Sequence, residues 1–210
     1  MKGFFKFLLW LAILLMVAYA VASWLLVDFV EIGQNDMAPT LAQGDFFVVY
    51  RHATPDVGDV LVCEHPSQPG RPIAGRLVAK AGQRVAIRRG MLVLDGRQLD
   101  TDVPTPSKIH FVDPNNHEQR SLSLRREFRG DDVWTVAVAE TRQPLEMSER
   151  VVHGGYFLLS DNRSYGFDSR NFGEFDPTMC RGVAFFLLTT GTGNGDLDAS
   201  ASERSFSPIH

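Results

Sequence analysis

The chain has 210 residues, 44% of them hydrophobic and 22% charged, with a formal net charge of -4. That is enough for one globular domain with an appendage, and too apolar for a disordered chain. The negative balance, with no run of Lys or Arg, argues against nucleic acid as a partner.

The first element is the stretch "LLWLAILLMVAYAVASWLLV", Leu8 to Val27, which carries no charge. Its length suffices to cross a bilayer at ~1.5 Å rise per residue. Lys2 and Lys6 precede it and Asp28 and Glu31 follow, which predicts a single-pass anchor over 1–30 with the N-terminus inside. A cleaved signal peptide is the alternative, because Ala18-Tyr19-Ala20 and Ala20-Val21-Ala22 have the small-x-small pattern. The anchor is favoured because apolar character continues through Trp24-Leu25-Leu26-Val27.

Beyond the anchor the pattern is of short strands. "DFFVVYR", "DVLVCE", "GRLVAKAGQRVAIRRGMLVLDG", "DVWTVAVAE", "GGYFLLS" and "RGVAFFLLTT" are β-branched, aromatic or alternating runs bounded by Gly, Pro and Asp. Arg89-Gly90 and Asp95-Gly96 mark hairpin turns. No long 3.6-residue period occurs, so a mainly β domain is expected over 31–190. The polar, turn-rich residues 101–131 are expected to be a variable insertion or β-subdomain, and the Gly/Ser/Asp-rich residues 191–210 a disordered tail. The two cysteines, Cys63 and Cys180, lack metal-ligand spacing; they form either one bridge or two buried thiols. The histidines, His52, His65, His110, His117, His153 and His210, are scattered through loops, and no metal or cofactor is expected.

Four segments carry a resemblance. The first is Asp36-Met37-Ala38-Pro39-Thr40-Leu41 followed by Gly44-Asp45; the second is "GDVLVC", Gly58 to Cys63. The third is "GRLVAKAGQRV", Gly75 to Val85, and the last is "YFLLSDNRSYGFDSRNFG", Tyr156 to Gly173. In this order they resemble the boxes of the bacterial type I signal peptidase (leader peptidase) family, membrane-anchored serine proteases that remove signal peptides. Those boxes read Ser-Met-x-Pro-Thr-Leu, Gly-Asp-(apolar)3, Lys-Arg-(apolar)2-Gly-x-Pro-Gly-Asp-x-Val and Tyr-Phe-x-x-Gly-Asp-Asn-Arg-x-x-Ser-x-Asp-Ser-Arg. "FRGDDVWTVAV" also resembles the family's inserted strand. The resemblance implies a signal peptidase-like β-rich domain outside the bacterial plasma membrane, with Met37, Pro39 and Leu77 beside a substrate groove.

The dyad that the resemblance implies is not present. A Ser/Lys dyad needs a hydroxyl that can lose its proton and a buried amine, kept neutral, that takes it. Asp36 stands at the nucleophile position and Gly75 at the base position. Gln34 replaces the oxyanion serine, and Gly166 replaces the serine that hydrogen-bonds the lysine. A carboxylate is a feeble nucleophile toward an amide, and losing both dyad members removes most of a ~10⁶-fold acceleration. Lys80 and Lys108 are the remaining lysines; Lys80 is an odd offset from Gly75 and so faces the other side of a strand. An Asp36–Asp168 pair sharing a proton is a further alternative. Asp161 and Arg163, and Asp168 and Arg170, read as ion pairs holding the last box to the core.

The sequence therefore leads to a non-catalytic signal peptidase homologue that keeps a groove for signal peptides. Two other readings stand beside it. One is an active peptidase with a displaced or atypical catalytic group; the other is a structural partner of an active signal peptidase or of the translocon.

Overall fold

The computed structural model describes residues 2–112, 118–140, 144–191 and 205–209, with side chains for all but 2, 20, 22–24, 111 and 112. The chain opens with helix α1, Lys2–Leu26. The apolar side chains of Phe4, Phe7, Trp10, Leu14 and Tyr19 stand exposed around it. Among the described residues, no helix is long and apolar enough to cross a membrane. The chain turns extended at Val27, inside the apolar run, because Val27 is opposed by Tyr50 of a neighbouring strand. The first strand of the β domain thus starts at Val27.

The strands follow as β1 Val27–Glu31, β2 Phe46–Tyr50, β3 Val60–Glu64, β4 Pro72–Lys80 and β5 Arg84–Arg88. Then come β6 Met91–Leu94, β7 Arg97–Gln98, β8 Asp100–Asp102, β9 Lys108–Val112 and β10 Gln119–Arg129. The last are β11 Asp132–Ala139, β12 Met147–Val151, β13 Tyr156–Leu159, β14 Cys180–Thr189 and β15 Ser207–Pro208. The one other helix of α type among the described residues, α2, is the short Ser169–Phe172. The domain is mainly β, as the alternating runs require.

Three antiparallel sheets form. The main one runs β1-β2-β14-β3-β4-β13 with β15 against β14, the second is β11-β10-β8 with β9, and the third is β12-β5-β6-β7. Residues 101–131 are thus largely a β-subdomain, in which β10 pairs with β11 over Leu122 to Arg129; residues 113–117 of that stretch lie outside the description. The two expected turns form with positive φ at Arg89, Gly90, Asp95 and Gly96, the geometry that right-twisted two-residue hairpins need. Cys63 and Cys180 sit directly opposite each other on β3 and β14 and are joined as a disulfide. The expected tail is corrected in part. Residues 205–209 are described, and Ser207–Pro208 pair with Phe186 and Leu187 of β14; residues 192–204 and 210 lie outside the description.

Candidate functional site

One buried guanidinium ties the four boxes together. Arg76, with no exposed surface, donates from Nε and Nη2 to the two carboxylate oxygens of Asp161 at 2.8 and 2.6 Å. Its Nη1 reaches the Gly58 carbonyl at 2.6 Å and its Nη2 the Thr40 hydroxyl at 3.3 Å. Thr40 in turn donates to Asp161 at 2.5 Å. Buried charges persist only when paired and hydrogen-bonded, and here every partner comes from a different box. The packing therefore explains why Pro39-Thr40-Leu41, Gly58-Asp59, Arg76 and Asp161-Asn162 stand together in the sequence.

The ion-pair expectation needs one correction. Asp161 pairs with Arg76 and not with Arg163, whose guanidinium goes to buried Glu127 at 2.8 Å, where Trp134 Nε1 also donates. Asp168 and Arg170 do pair, at 2.7 Å. Asp168 also caps α2 and accepts from the Ser160 and Arg170 amides. Both of its oxygens are thus engaged, Oδ1 by the Arg170 amide and Nε, and Oδ2 by the Ser160 amide and Arg170 Nη2.

Asp36 lies in the turn that follows β1, fixed by the Asn162 amide, which donates to the Asp36 carbonyl at 2.9 Å. Burial pushes its carboxyl up from 3.8 to about 6, opposed by a hydrogen bond from the Phe167 amide, increased by the charge of Asp168 and opposed again by Arg71. Gln34 bridges two of these groups when its carboxamide is assigned the orientation that satisfies both its ends: the nitrogen then donates to Asp36 Oδ2 (2.5 Å), and the oxygen accepts from Arg71 Nε (2.9 Å) and Nη2 (2.8 Å). The carboxamide is thereby committed to its neighbours instead of facing an oxyanion. Arg71 was not singled out from the sequence. Its only signal is that it stands just before β4, four residues ahead of Gly75.

The glycines at the other two positions leave no room for the missing side chains. A Cβ on Gly75 would lie 2.9 Å from the Leu158 Cβ and 3.4 Å from its Cδ1. Leu158 comes from β13, where the pairing with β4 shifts register between Phe157 and Leu158. A Cβ on Gly166 would lie 2.2 Å from the Ser160 Cβ. Ser160 stands where the resembling box has Gly, so the hydroxyl has moved from one position of the box to the other. Ser160 has no exposed surface and points its hydroxyl to the Phe167 carbonyl at 3.3 Å, so it presents no nucleophile to a substrate.

The remaining candidates are also engaged. Lys80 pairs with Asp56 (3.1 Å) and Lys108 with Glu140 (2.8 Å), both at the surface. Met37 and Leu77, expected beside a groove, are core residues, 1% and 0% exposed: Met37 packs from its turn into one apolar cluster, and Leu77 into another from β4, a strand buried on both faces. Pro39 is half-buried and lines a separate cavity. No cluster among the described residues could hold a metal ion.

The comparisons with known proteins agree with this frame. The family described as signal peptidase, peptidase S26, matches residues 4–189. "Inactive signal peptidase IA" of Staphylococcus aureus (strain Mu50 / ATCC 700699) is 26% identical over 182 residues, covering 84% of this chain and 86% of that protein. "Signal peptidase I" of Streptococcus pneumoniae serotype 4 is 25% identical over 168 residues, covering 76% and 80%. "Probable signal peptidase I-1" of Synechocystis sp. is 34% identical over 198 residues, covering 88% and 84%. With the family matched over nearly the whole chain, and its boxes joined at one buried arginine, this chain belongs to the signal peptidase (peptidase S26) family.

Proposed function

We propose that this chain is a membrane-anchored signal peptidase homologue that does not cleave, and that holds an extended segment of an exported protein by strand pairing beside residues 32–36. The observation that carries the non-catalytic reading is the coupled repacking of the dyad positions. Asp36 is held by Gln34 and Phe167, Leu158 occupies the space at Gly75, and Ser160 that at Gly166. A single lost residue would leave the other positions unfilled; here each has acquired a neighbour. The similarity to a protein named an inactive signal peptidase supports the same reading. The anchor rests on the uncharged run Leu8 to Val27 with its flanking charges. The Cys63–Cys180 bridge supports an oxidising, extracytoplasmic setting for the β domain.

The test uses the full chain in liposomes with a pre-protein bearing an Ala-x-Ala site and a photoreactive group near it. Crosslinking to residues 32–36 without cleavage is the expected result. Specific cleavage that Asp36→Ala abolishes would falsify the proposal. The tight closure around Asp36 favours one second reading, a structural partner of an active signal peptidase or translocon. In that case the probe leaves the chain unlabelled.

A further inference from the structure

Strand β14 has two neighbours on one side of its length. β3 opposes it from Cys180 to Ala184, where Ala184 meets Val60, the first residue of β3. Past that point the edge of Phe185 to Leu187 has no β3 residue to pair with. An unpaired run of amides and carbonyls at a sheet edge is a template for an added strand. Residues 205–209 fill it: Phe186 opposes Pro208, Leu187 opposes Ser207, and the Ile209 amide donates to the Phe185 carbonyl at 3.0 Å.

The fit of this segment is incomplete. Ser205 and Phe206 form a turn, and beyond it Ser207 and Ile209 are half-buried while Pro208 is exposed, the alternation of a strand with one face inward. Ile209 packs against the core cluster that contains Met37 and Leu41. Ser205 is taken up by Thr190, whose amide donates to its hydroxyl at 3.3 Å. Beside Ser207 remains a cavity of about 440 Å³ lined by Pro39, Ile109, Leu124, Trp134 and Leu187. A serine fills less of such a cavity than a longer apolar side chain would, each buried methylene being worth ~0.8 kcal/mol. Ile209 also borders a second cavity, of about 490 Å³, where Asp56, Asp59, Asp131 and Asp132 gather. Lys80 pairs with Asp56 and Arg129 with Asp132, so four carboxylates face two cations there.

The geometry points to a peptide-acceptor groove on β14, separate from the Asp36 cleft. Its ligand is an extended apolar peptide, with a large side chain at the Ser207 position and a basic residue after the isoleucine position. Residues 205–209 hold the groove in cis and must leave before such a peptide enters. Main-chain pairing to Phe185–Leu187 supplies the register, the apolar cavity selects side chains, and the aspartates select the cation.

The probes are two fluorescent hexapeptides. One is Ser-Phe-Ser-Pro-Ile-His, the sequence of residues 205–210; the other carries the changes Ser207→Leu and His210→Lys. Binding is read by anisotropy on the full chain and on a chain truncated after Gly191. The substituted peptide is expected to bind the truncated chain at least tenfold more tightly than the native one. The full chain should bind it at least tenfold more weakly than the truncated chain, because a tethered competitor acts at an effective concentration on the order of mM. Thr135→Trp, which fills the cavity, should abolish binding. Equal binding to both chains, no preference for the leucine peptide, or indifference to Thr135→Trp overturns the inference, as does absence of saturable binding to a folded truncated chain. Should truncation prevent folding, full-length Ile209→Asp, which ejects the segment, replaces it with the same outcomes. Peptide crosslinking at residues 32–36 is read separately, so a negative result at one site does not decide the other.

Discussion

Gly166 and Ser160 share the space of one side chain: a Cβ on Gly166 would lie 2.2 Å from the Ser160 Cβ and 2.4 Å from its hydroxyl. Both would-be neighbours are held by backbone bonds, Gly166 N to the Asn162 carbonyl and Ser160 N to Asp168, so neither can easily withdraw. Overpacking of this kind typically costs about 1–3 kcal/mol. Gly166→Ser alone is therefore expected to destabilise the chain by that amount, read as a lowered urea midpoint. Ser160→Gly in the same chain should recover part of the loss, the remainder coming from the Asn162 carbonyl, 2.8 Å from the same Cβ. An additive double-mutant cycle would show that the two positions do not share the space.

The same logic governs any attempt to restore cleavage. Asp36→Ser with Gly75→Lys supplies a hydroxyl and an amine, but the lysine Cβ would stand 2.9 Å from the Leu158 Cβ. That pair is expected to leave the chain inactive and less stable by about 1–3 kcal/mol. Adding Leu158→Gly, Ser160→Gly and Gly166→Ser removes the Leu158 and Ser160 Cβ atoms that stand in the way and returns the second serine. Cleavage of an Ala-x-Ala pre-protein, followed by mass spectrometry of the product, should appear only in the five-fold variant. Activity in the two-fold variant would mean that Leu158 yields freely.

Much of this was legible in the sequence, and what was not has physical reasons. Strands such as β2, β3 and β14, with their Gly and Asp boundaries, and the Arg89-Gly90 turn carry their own local signals. The polar edge strand β12 and the long β10, "QRSLSLRREFR", do not: only Leu122, Leu124 and Glu127 of β10 are fully buried, and its pairing with β11 decides its state. β1 was hidden because its first residue, Val27, belongs to the uncharged run and only four residues of the strand follow it. The substitutions at Asp36, Gly75, Gly166 and Gln34 could be read directly. That their space is filled could not, since it depends on Leu158 reaching across from β13 at a register shift. The Ser160 exchange was visible in the box but gains meaning only from contact with Gly166. Met37 and Leu77 were misplaced because a resemblance assigns a role to a position and says nothing of which way its side chain turns.

The disulfide closes a separation of 117 residues, joining β3 to β14 across the middle of the main sheet. A crosslink over a loop of that size restricts the unfolded chain strongly, and loss of a native bridge typically costs about 2–5 kcal/mol. Cys63→Ser with Cys180→Ser is expected to lower stability within that range. Measuring unfolding of the unsubstituted chain with and without a reductant gives the comparison, and an unchanged midpoint under reduction would rule the contribution out. Because Cys63 is fully buried, the double serine variant should lose somewhat more than the reduced chain, having also buried a hydroxyl.

Asp36 should leave a pH signature opposite to that of an ordinary salt-bridged carboxylate. Burial raises its folded-state value from 3.8 to about 6, so the folded chain binds the proton more tightly than the unfolded one. Its favourable contribution is fully present below about pH 4 and is lost as the pH rises through about 6. Asp36→Asn keeps a neutral amide at every pH, still able to accept from the Phe167 amide. The variant is thus expected to match the parent near pH 3.5 and to exceed it above pH 7. The gain should be about 1–2 kcal/mol, less than the ~3 kcal/mol that the whole rise is worth, because Asp36 is only half-buried and water screens it. Urea unfolding of both chains at half-unit steps from pH 3.5 to 8 reads the difference directly. A difference that stays flat across pH 4 to 7 would show that Asp36 titrates as a solvated side chain and that Gln34 and Arg71 do not close over it.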